Sequence, residues 1–141
     1  MTVEGQKALK LETFTLFDRV KPVRFMETLV VKEGVECDVY EFDGDSSRDL
    51  GIIRVDKGSS TPLQRVLGGD LTIEGHISGL GSLLVARVNG NREVYNYASS
   101  GPYRPVQVDI GDTMRWTAEE DLVFYEVCEP PYAEGRFQDL A

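Results

Sequence analysis

The chain is poor in the two residue types that most often bind transition metals and carry redox chemistry. Its 141 residues include one histidine, His76, and two cysteines, Cys37 and Cys128. Divalent iron, manganese, nickel and copper favour imidazole ligands, so a site built from several histidines is excluded. The cysteines are far apart and form no C-x-x-C pair, which argues against a zinc or redox motif. We expect no catalytic thiol, because a reactive cysteine needs an electropositive setting and Cys37 stands between Glu36 and Asp38.

Basic residues are also scarce. The sequence has 15 Lys and Arg against 24 Asp and Glu, which gives a formal net charge of -9. A surface this acidic repels phosphate backbones, so no nucleic-acid partner is expected. The acidic residues are spread along the chain, which favours a role in solubility over a specific cationic partner.

Long apolar runs are missing as well. No segment approaches the roughly 20 apolar residues of a transmembrane helix. The stretch Met1–Lys10 has no apolar core of signal-peptide length. We therefore expect a cytoplasmic protein with reduced thiols and no membrane partner.

Helical periodicity and the common catalytic motifs are absent, and short strand-like runs take their place. There is no G-x-S-x-G, no P-loop and no G-x-G-x-x-G after a strand. Runs rich in β-branched and aromatic residues recur at short intervals, separated by Gly, Asp and Asn turns. Strands are predicted at Leu11–Phe17, Met26–Lys32, Val35–Phe42, Leu50–Val55, Leu71–Ile77, Ser82–Val88, Arg92–Tyr97, Val106–Ile110, Thr113–Trp116 and Leu122–Cys128.

This pattern indicates a single all-β domain, either a sandwich or a barrel. Between two of the strands, Val88–Arg92 resembles a tight hairpin turn, because Asn and Gly tolerate positive φ. The tail, Pro130–Leu140, is too irregular for a strand. Its aromatic residues Tyr132 and Phe137 indicate that it packs on the domain or on a partner subunit.

From Gly51 to Pro130 the order of these signals resembles the cupin family, whose members are small jelly-roll barrels and commonly dimers. The matching segments are Gly51–Gly58, Thr61–Arg65, His76–Leu83, Val106–Asp112 and Trp116–Glu126. The resemblance implies a cupin-like jelly-roll β-barrel with a core at about 46–130, and a homodimer. The first 45 residues and the tail lie outside the resemblance, so with the strand pattern we expect an all-β, single cupin-like domain over residues 1–141 with extra N-terminal strands and an irregular C-terminal tail.

The family's metal-binding residues are largely missing from this sequence. Its first motif has two histidines and then an acid, near which this chain has Gln64, Val66 and Asp70. Its second motif adds a histidine, near which this chain has Asp121 or Leu122. We therefore expect no conventional metal site and no cofactor.

Alternation along Leu71–Ser78 places Thr72, Glu74, His76 and Ser78 on one face of a strand. This face is either a polar wall of the barrel cavity, in which Glu74 tunes the pKa of His76, or a solvent-facing surface.

Other candidates also have two interpretations. Arg54 interrupts an apolar run, so it either binds a carboxylate or phosphate inside the barrel or faces solvent. The aromatics Trp116 and Tyr125 either line a pocket or belong to the core. If the barrel holds a ligand, the residues expected in its wall are Arg54, Gln64, Glu74, His76, Trp116 and Tyr125.

Three functions remain at this stage. The first is a non-catalytic protein that binds a small polar ligand, a sugar or a carboxylate, in the barrel without a metal. The alternative, which some cupin relatives suggest, is a metal-free sugar or sugar-nucleotide epimerase or isomerase with His76 as base and Tyr125 or Tyr97 as acid. A metal-dependent oxygenase or isomerase with unusual ligands is the weakest, because the chain has one histidine.

Overall fold

Strand-forming residues build β-structure along the whole computed structural model, which describes residues 10–99 and 101–140. Within those residues there is no helix, as the missing helical periodicity predicts. The strands are β1 (Thr13–Leu16), β2 (Arg19–Lys32), β3 (Val35–Phe42), β4 (Asp45–Val55), β5 (Gln64–Val66), β6 (Leu71–Ser78), β7 (Gly81–Ala86), β8 (Arg92–Tyr97), β9 (Val106–Gln107), β10 (Thr113–Ala118), β11 (Leu122–Glu129) and β12 (Phe137–Asp139).

The strands form two antiparallel sheets. The larger sheet has the order β1-β2-β3-β4-β11-β6-β9, and the smaller has the order β12-β5-β10-β7-β8. Consecutive strands such as β10 and β11 lie in different sheets, so the chain crosses between them repeatedly. This is the predicted jelly-roll architecture, in which two curled sheets enclose a common core.

The first core cluster fills the space between the two sheets. Its largest fully buried side chain is that of Trp116, which stacks on Phe124 at a centroid distance of 4.2 Å and on Tyr97 at 5.3 Å. The buried members of this cluster are Val35, Ile53, Val55, Val66, Leu83, Val85, Tyr97, Val106, Val108, Met114, Trp116, Ala118, Leu122 and Phe124.

The second core cluster covers the outer face of the larger sheet. Phe14 of β1 packs edge-on against Tyr125 of β11 at 5.0 Å, although β2, β3 and β4 separate these two strands in the sheet order. The sheet therefore curls until its N-terminal hairpin lies over its own outer face. The buried members are Leu16, Val23, Tyr40, Phe42, Leu50, Ile52, Ile73 and Val127. Because both faces of this sheet are covered, its central strands carry apolar residues on both faces and do not alternate between apolar and polar residues.

Two short strands are not predicted by the sequence analysis. Both β5 and β12 have three residues, and they pair with each other, with Phe137 opposite Val66. The tail thus ends as the edge strand of the smaller sheet, after an irregular stretch. It packs on the domain, and the backbone N–H of Tyr132 donates to Asp49 Oδ2 at 3.0 Å.

Several strand ends also differ from the prediction. β2 begins at Arg19 and β4 at Asp45, well before the predicted starts, whereas β9 keeps only Val106 and Gln107. The hairpin at Val88–Arg92 is confirmed, with Gly90 at a φ of 94°. No helix in the described residues is long and apolar enough to cross a membrane.

Candidate ligand-binding cavity

A cavity of about 670 Å³ lies between the two sheets, and we refer to it as the barrel cavity. This volume is within the range of about 300–1,000 Å³ that is usual for small-molecule sites. Strands of both sheets and the C-terminal tail line it. Its polar lining residues are Glu27, Asp49, Thr61, Gln64, Glu74, Glu126 and Asp139.

One row of residues across the larger sheet forms the floor of the cavity. Glu126 of β11 is directly opposite Gly51 of β4 on one side and Glu74 of β6 on the other. Directly opposed residues have Cβ atoms about 5 Å apart and the same facing, so both glutamates project into the barrel. Gly51 contributes no side chain, and a Cβ added there would lie 3.0 Å from Cys37 Sγ. Because residue 51 is glycine, no side chain from that position covers Glu126, and Cys37 and Ile53 pack close to the backbone there.

Glu74 is the most deeply buried acid of this floor, with 1% of its surface exposed. Trp116 Nε1 donates a hydrogen bond to Glu74 Oε1 at 2.9 Å. The other oxygen, Oε2, is buried and accepts no hydrogen bond from any described residue. Burial, and then the charge and hydrogen bonding of Glu126, raise the pKa of Glu74 well above its ordinary value. A proton on Oε2 resolves both features, because the neutral acid donates to the Glu126 carboxylate.

The remaining acids make the cavity strongly acidic. Asp49 lies two residues before Gly51 on β4 and directly opposite Cys128. Burial raises the pKa of Asp49. At the rim, Asp139 Oδ1 accepts a hydrogen bond from Gln64 Nε2 at 3.0 Å. No lysine or arginine among the described residues lines the cavity. The buried Arg136 acts on Asp49 from behind the wall, where it donates to backbone carbonyls and to Thr72.

The two cysteines both line the cavity and are free thiols. Burial, with the nearby charge of Glu126, raises the pKa of Cys37 to about 12. Burial also raises the pKa of Cys128. Both thiols are thus neutral near pH 7, which agrees with the expectation that neither is a nucleophile.

The structure brings three of the predicted site residues together at the cavity. Gln64, Glu74 and Trp116 all line it. Glu74 and Trp116 are directly hydrogen bonded to each other, and Gln64 lies at the rim with Asp139. These three residues join both sheets to one site.

Arg54 is not part of this group. It lies on the outer face of β4, where its guanidinium donates to both oxygens of Asp38 and, at 3.0 Å, to Glu36 Oε1. Asp38 also accepts a hydrogen bond from Thr28 at 2.7 Å. The charge of Arg54 is therefore used to compensate Asp38, whose surface is 4% exposed.

Tyr125 also faces away from the cavity. Its ring lies over Gly75, since a Cβ on that glycine would be 2.1 Å from ring atoms. Tyr125 belongs with the outer cluster, packed against Phe14.

His76 faces the barrel interior but is not among the residues that line the cavity. Its ring is stacked on Tyr97 at 4.9 Å, with 4° between the planes, and meets the edge of Tyr103 at 5.2 Å. Nε2 lies 2.7 Å from the carbonyl oxygen of Gly79, so in this contact Nε2 carries the proton. Burial raises the pKa of Tyr97 to about 12.

Sequence reasoning missed the acids that most define the cavity. Asp49, Glu126 and Asp139 are not among the predicted site residues. Glu126 alternates in phase with Leu122 and Phe124, which are buried in the barrel. The sequence alone could not use that phase, because Val123, Tyr125 and Val127 make the other face of β11 equally apolar.

The described residues do not suit the metal ion that the resemblance to the cupin family implies. No group of three or more His, Cys, Asp or Glu among them could hold a metal ion. Imidazole ligands are also absent from the cavity lining. We therefore derive no chemistry through a metal.

Comparison with known proteins shows the fold class to which this jelly roll belongs. No protein-family model and no curated protein matches the sequence. A solved structure of Bacillus subtilis oxalate decarboxylase at pH 4.6 matches with a TM-score of 0.62 and 19% identity, over 78% of this chain and 29% of that chain. Another structure of that enzyme, from work on its Mn(II) centres, matches with a TM-score of 0.62 and 18% identity, over 77% and 29% of the two chains. The 7S globulin of Momordica charantia matches with a TM-score of 0.61 and 16% identity, over 82% and 34% of the two chains.

These matches, to an enzyme and to a globulin that are both cupin proteins, identify the architecture. The chain has the cupin fold. It spans about a third or less of the length of the proteins it matches, 29% in oxalate decarboxylase and 34% in the globulin. At these identities the likeness concerns the fold, because one scaffold carries many unrelated functions.

Proposed function

We propose that this chain is a binding protein that holds a small polar ligand in the barrel cavity, without a conventional metal site and without catalysis. The observation that carries the proposal is the cavity of about 670 Å³ with the buried Glu74 in its floor. A ligand that donates a hydrogen bond to Glu74 Oε2 takes the place of the proton that satisfies this buried oxygen in the empty cavity.

The lining favours a hydroxyl-rich ligand, such as a sugar, over a carboxylate. Acids at the floor and rim accept hydrogen bonds from hydroxyl groups, whereas they repel a second carboxylate. The rim also contains Tyr132 and Phe137, which are stacked at 5.9 Å. Aromatic faces of this kind pack against the apolar faces of sugar rings.

The epimerase alternative receives no support from the positions of its residues. Tyr125 lies on the outer face of the larger sheet, and His76 is held between Tyr97 and Tyr103. Tyr97 and Tyr103 line a second, more open depression of about 1090 Å³, outside the barrel cavity. A base must reach the proton that it removes, and His76 lines neither space.

Titration of the ¹⁵N-labelled protein with three matched sugars tests the proposal. Glucose, glucosamine and glucuronate share a ring and differ in charge. Trp116 is the chain's one tryptophan, so its indole N–H gives a single resonance at the cavity floor. We expect that resonance to shift with at least one of the first two sugars. If none of the three shifts it, the proposal is wrong.

Two glycines supply a matched pair of variants for this titration. Gly51→Val places a side chain in the cavity, where a Cβ would lie 3.0 Å from Cys37 Sγ, and Gly51→Ala is the milder form. Gly68→Val adds the same group where nothing lies within 4 Å of a Cβ. We expect binding to weaken in the Gly51 variants and to persist in Gly68→Val.

The expected homodimer and cytoplasmic location stay predictions. Light scattering on the purified protein measures the first, and fractionation of the native cell measures the second. Neither result alters the argument from the cavity.

A further inference from the structure

We propose that the ligand of the barrel cavity carries an ammonium group, which binds between the carboxyl groups of Glu74 and Glu126. This inference rests on the proposed function and names the chemical class of its ligand. It begins from two independent observations, the row of acids in the floor and the unpartnered oxygen within it.

The first observation is geometric. Glu74 and Glu126 are directly opposed on neighbouring strands and face the same cavity. Gly51 on the far side of Glu126 places no side chain of its own over the pair. A group that enters from the cavity can therefore reach both carboxyl groups.

The second observation is an unused acceptor. Trp116 occupies Glu74 Oε1, while Oε2 is buried and has no partner among the described residues. An ionised carboxylate in that position needs a compensating charge or a proton. An ammonium group supplies several N–H donors and one positive charge, so it satisfies Oε2 and Glu126 together through charge-assisted hydrogen bonds.

The residues that line the cavity favour an organic cation over a metal cation as the ligand. In the floor the directly opposed carboxyl groups are those of Glu74 and Glu126, and the described residues offer no group of three metal-binding side chains. The cavity wall also has an apolar part, which includes Ile53, Met114 and Phe124. This wall suits the carbon skeleton of an amine, and a hydrated metal ion gains nothing from it.

The groups that surround Glu74 set how binding is linked to protons. Glu126 acts on it from β11, and the charge of Glu74 acts in turn on Cys128, Tyr97 and Tyr125. Asp49 lines the same cavity from β4, and Arg136 donates to Thr72. Burial and Glu126 raise the pKa of Glu74, so below that pKa the empty pair carries a proton on Glu74. An amine that enters as an ammonium ion displaces the proton of Glu74. Up to one proton per ligand is then released to solvent. The affinity of the cavity for the amine therefore rises with pH, up to the pH at which Glu74 is already ionised in the empty cavity.

Isothermal titration calorimetry with two matched series tests the ammonium group. The first series is 2-phenylethylamine, 2-phenylethanol and 3-phenylpropionate, and the second is glucosamine, glucose and glucuronate. We expect the amine of at least one series to bind about tenfold or more tightly than its neutral partner, and the carboxylate to bind weakest. Because the buffer takes up the released proton, the amine's binding enthalpies in phosphate and in Tris should differ by the number of protons released times the difference between the ionisation enthalpies of the two buffers.

The outcomes separate the inference from the proposed function. If a neutral compound binds as tightly as its amine and no proton is released, the ammonium proposal is wrong and the binding function stands. If no member of either series binds or shifts the Trp116 indole resonance, both are wrong.

Variants of the pair give a second test. We expect Glu126→Gln to weaken amine binding about tenfold or more, to weaken binding of the neutral partner less, and to reduce proton release. Glu126→Asp keeps the charge and should keep the preference for amines. Glu120→Gln removes a charge from an acid whose side chain is 58% exposed and should change nothing. Unaltered amine binding in folded Glu126→Gln and Glu74→Gln would overturn the inference.

Discussion

Glu74 and Glu126 face each other across the β6–β11 pair of strands inside the barrel, and only 1% of the surface of Glu74 is exposed to solvent. Two carboxylates this close do not ionise independently. Burial and the charge of Glu126 raise the pKa of Glu74, so Glu74 keeps its proton to a higher pH than an exposed glutamate does. The energetics of the empty cavity therefore depend on pH.

The first prediction concerns stability against pH in Glu74→Gln. A raised pKa means that the folded state binds the proton more tightly than the unfolded state, whose glutamate pKa is about 4.3. This contribution to stability is complete below that pH and is lost as pH rises through the folded-state pKa. Glutamine keeps the acceptor for Trp116 and does not ionise. The free energy of unfolding of Glu74→Gln, minus that of the wild type, should grow as pH rises. Urea unfolding between pH 4 and 9 measures this difference, and a difference independent of pH would contradict it.

The second prediction concerns Asp112, which is 3% exposed and lies immediately before β10, in contact with the turn of the β7–β8 hairpin. Its carboxylate accepts hydrogen bonds from the backbone of Val88 and Asp109 and from Arg87, each at 2.9 Å. Asp112→Ala leaves these donors without partners, and we expect a loss of about 3 kcal/mol. Urea unfolding measures the loss. As the control, Lys57→Ala removes an exposed ion pair with Glu120 and should cost less than about 0.5 kcal/mol.

The third prediction separates Arg54 from the cavity. Arg54→Met removes the main compensation for the buried Asp38, so stability should fall by about 2–4 kcal/mol. Since Arg54 lies on the outer face of β4, the Trp116 indole resonance and its response to amines should stay the same. A weakened response with an unchanged fold would show that Arg54 reaches the ligand.

The fourth prediction concerns the outer face, where the ring of Tyr125 lies over Gly75. A methyl group at residue 75 would lie 2.1 Å from ring atoms, so Gly75→Ala must displace the ring from Phe14. We expect a loss of about 1–3 kcal/mol from this overpacking. Thermal unfolding measures it, with Gly68→Ala as the control, because nothing lies within 4 Å of a Cβ there. Equal melting temperatures for the two variants would count against the packing described.

The fold was largely predictable because turn residues bracket most of the strands. β3 and β8 have the predicted bounds, since Gly, Asp and Asn residues stand at their ends. The three-residue strands β5 and β12 were missed because a run that short has no alternation to detect. Their pairing depends on where the tail meets the barrel, which is a tertiary contact.

The site was predictable only in part, for a different physical reason. Glu74 follows from alternation in β6, where polar and apolar positions are distinct. In β4 and β11 both parities carry apolar residues because both faces of the larger sheet are covered. Parity therefore could not decide that Tyr125 faces outward and Glu126 inward.

The most direct test of the account is the Trp116 indole N–H resonance during titration with 2-phenylethylamine and with 2-phenylethanol near pH 7. The account predicts a saturable shift at lower concentration for the amine than for the alcohol, and a weakened shift in Gly51→Val. A resonance that moves equally with both compounds would contradict the ammonium site, and one that moves with neither, nor with the matched sugars, would contradict the cavity as a binding site.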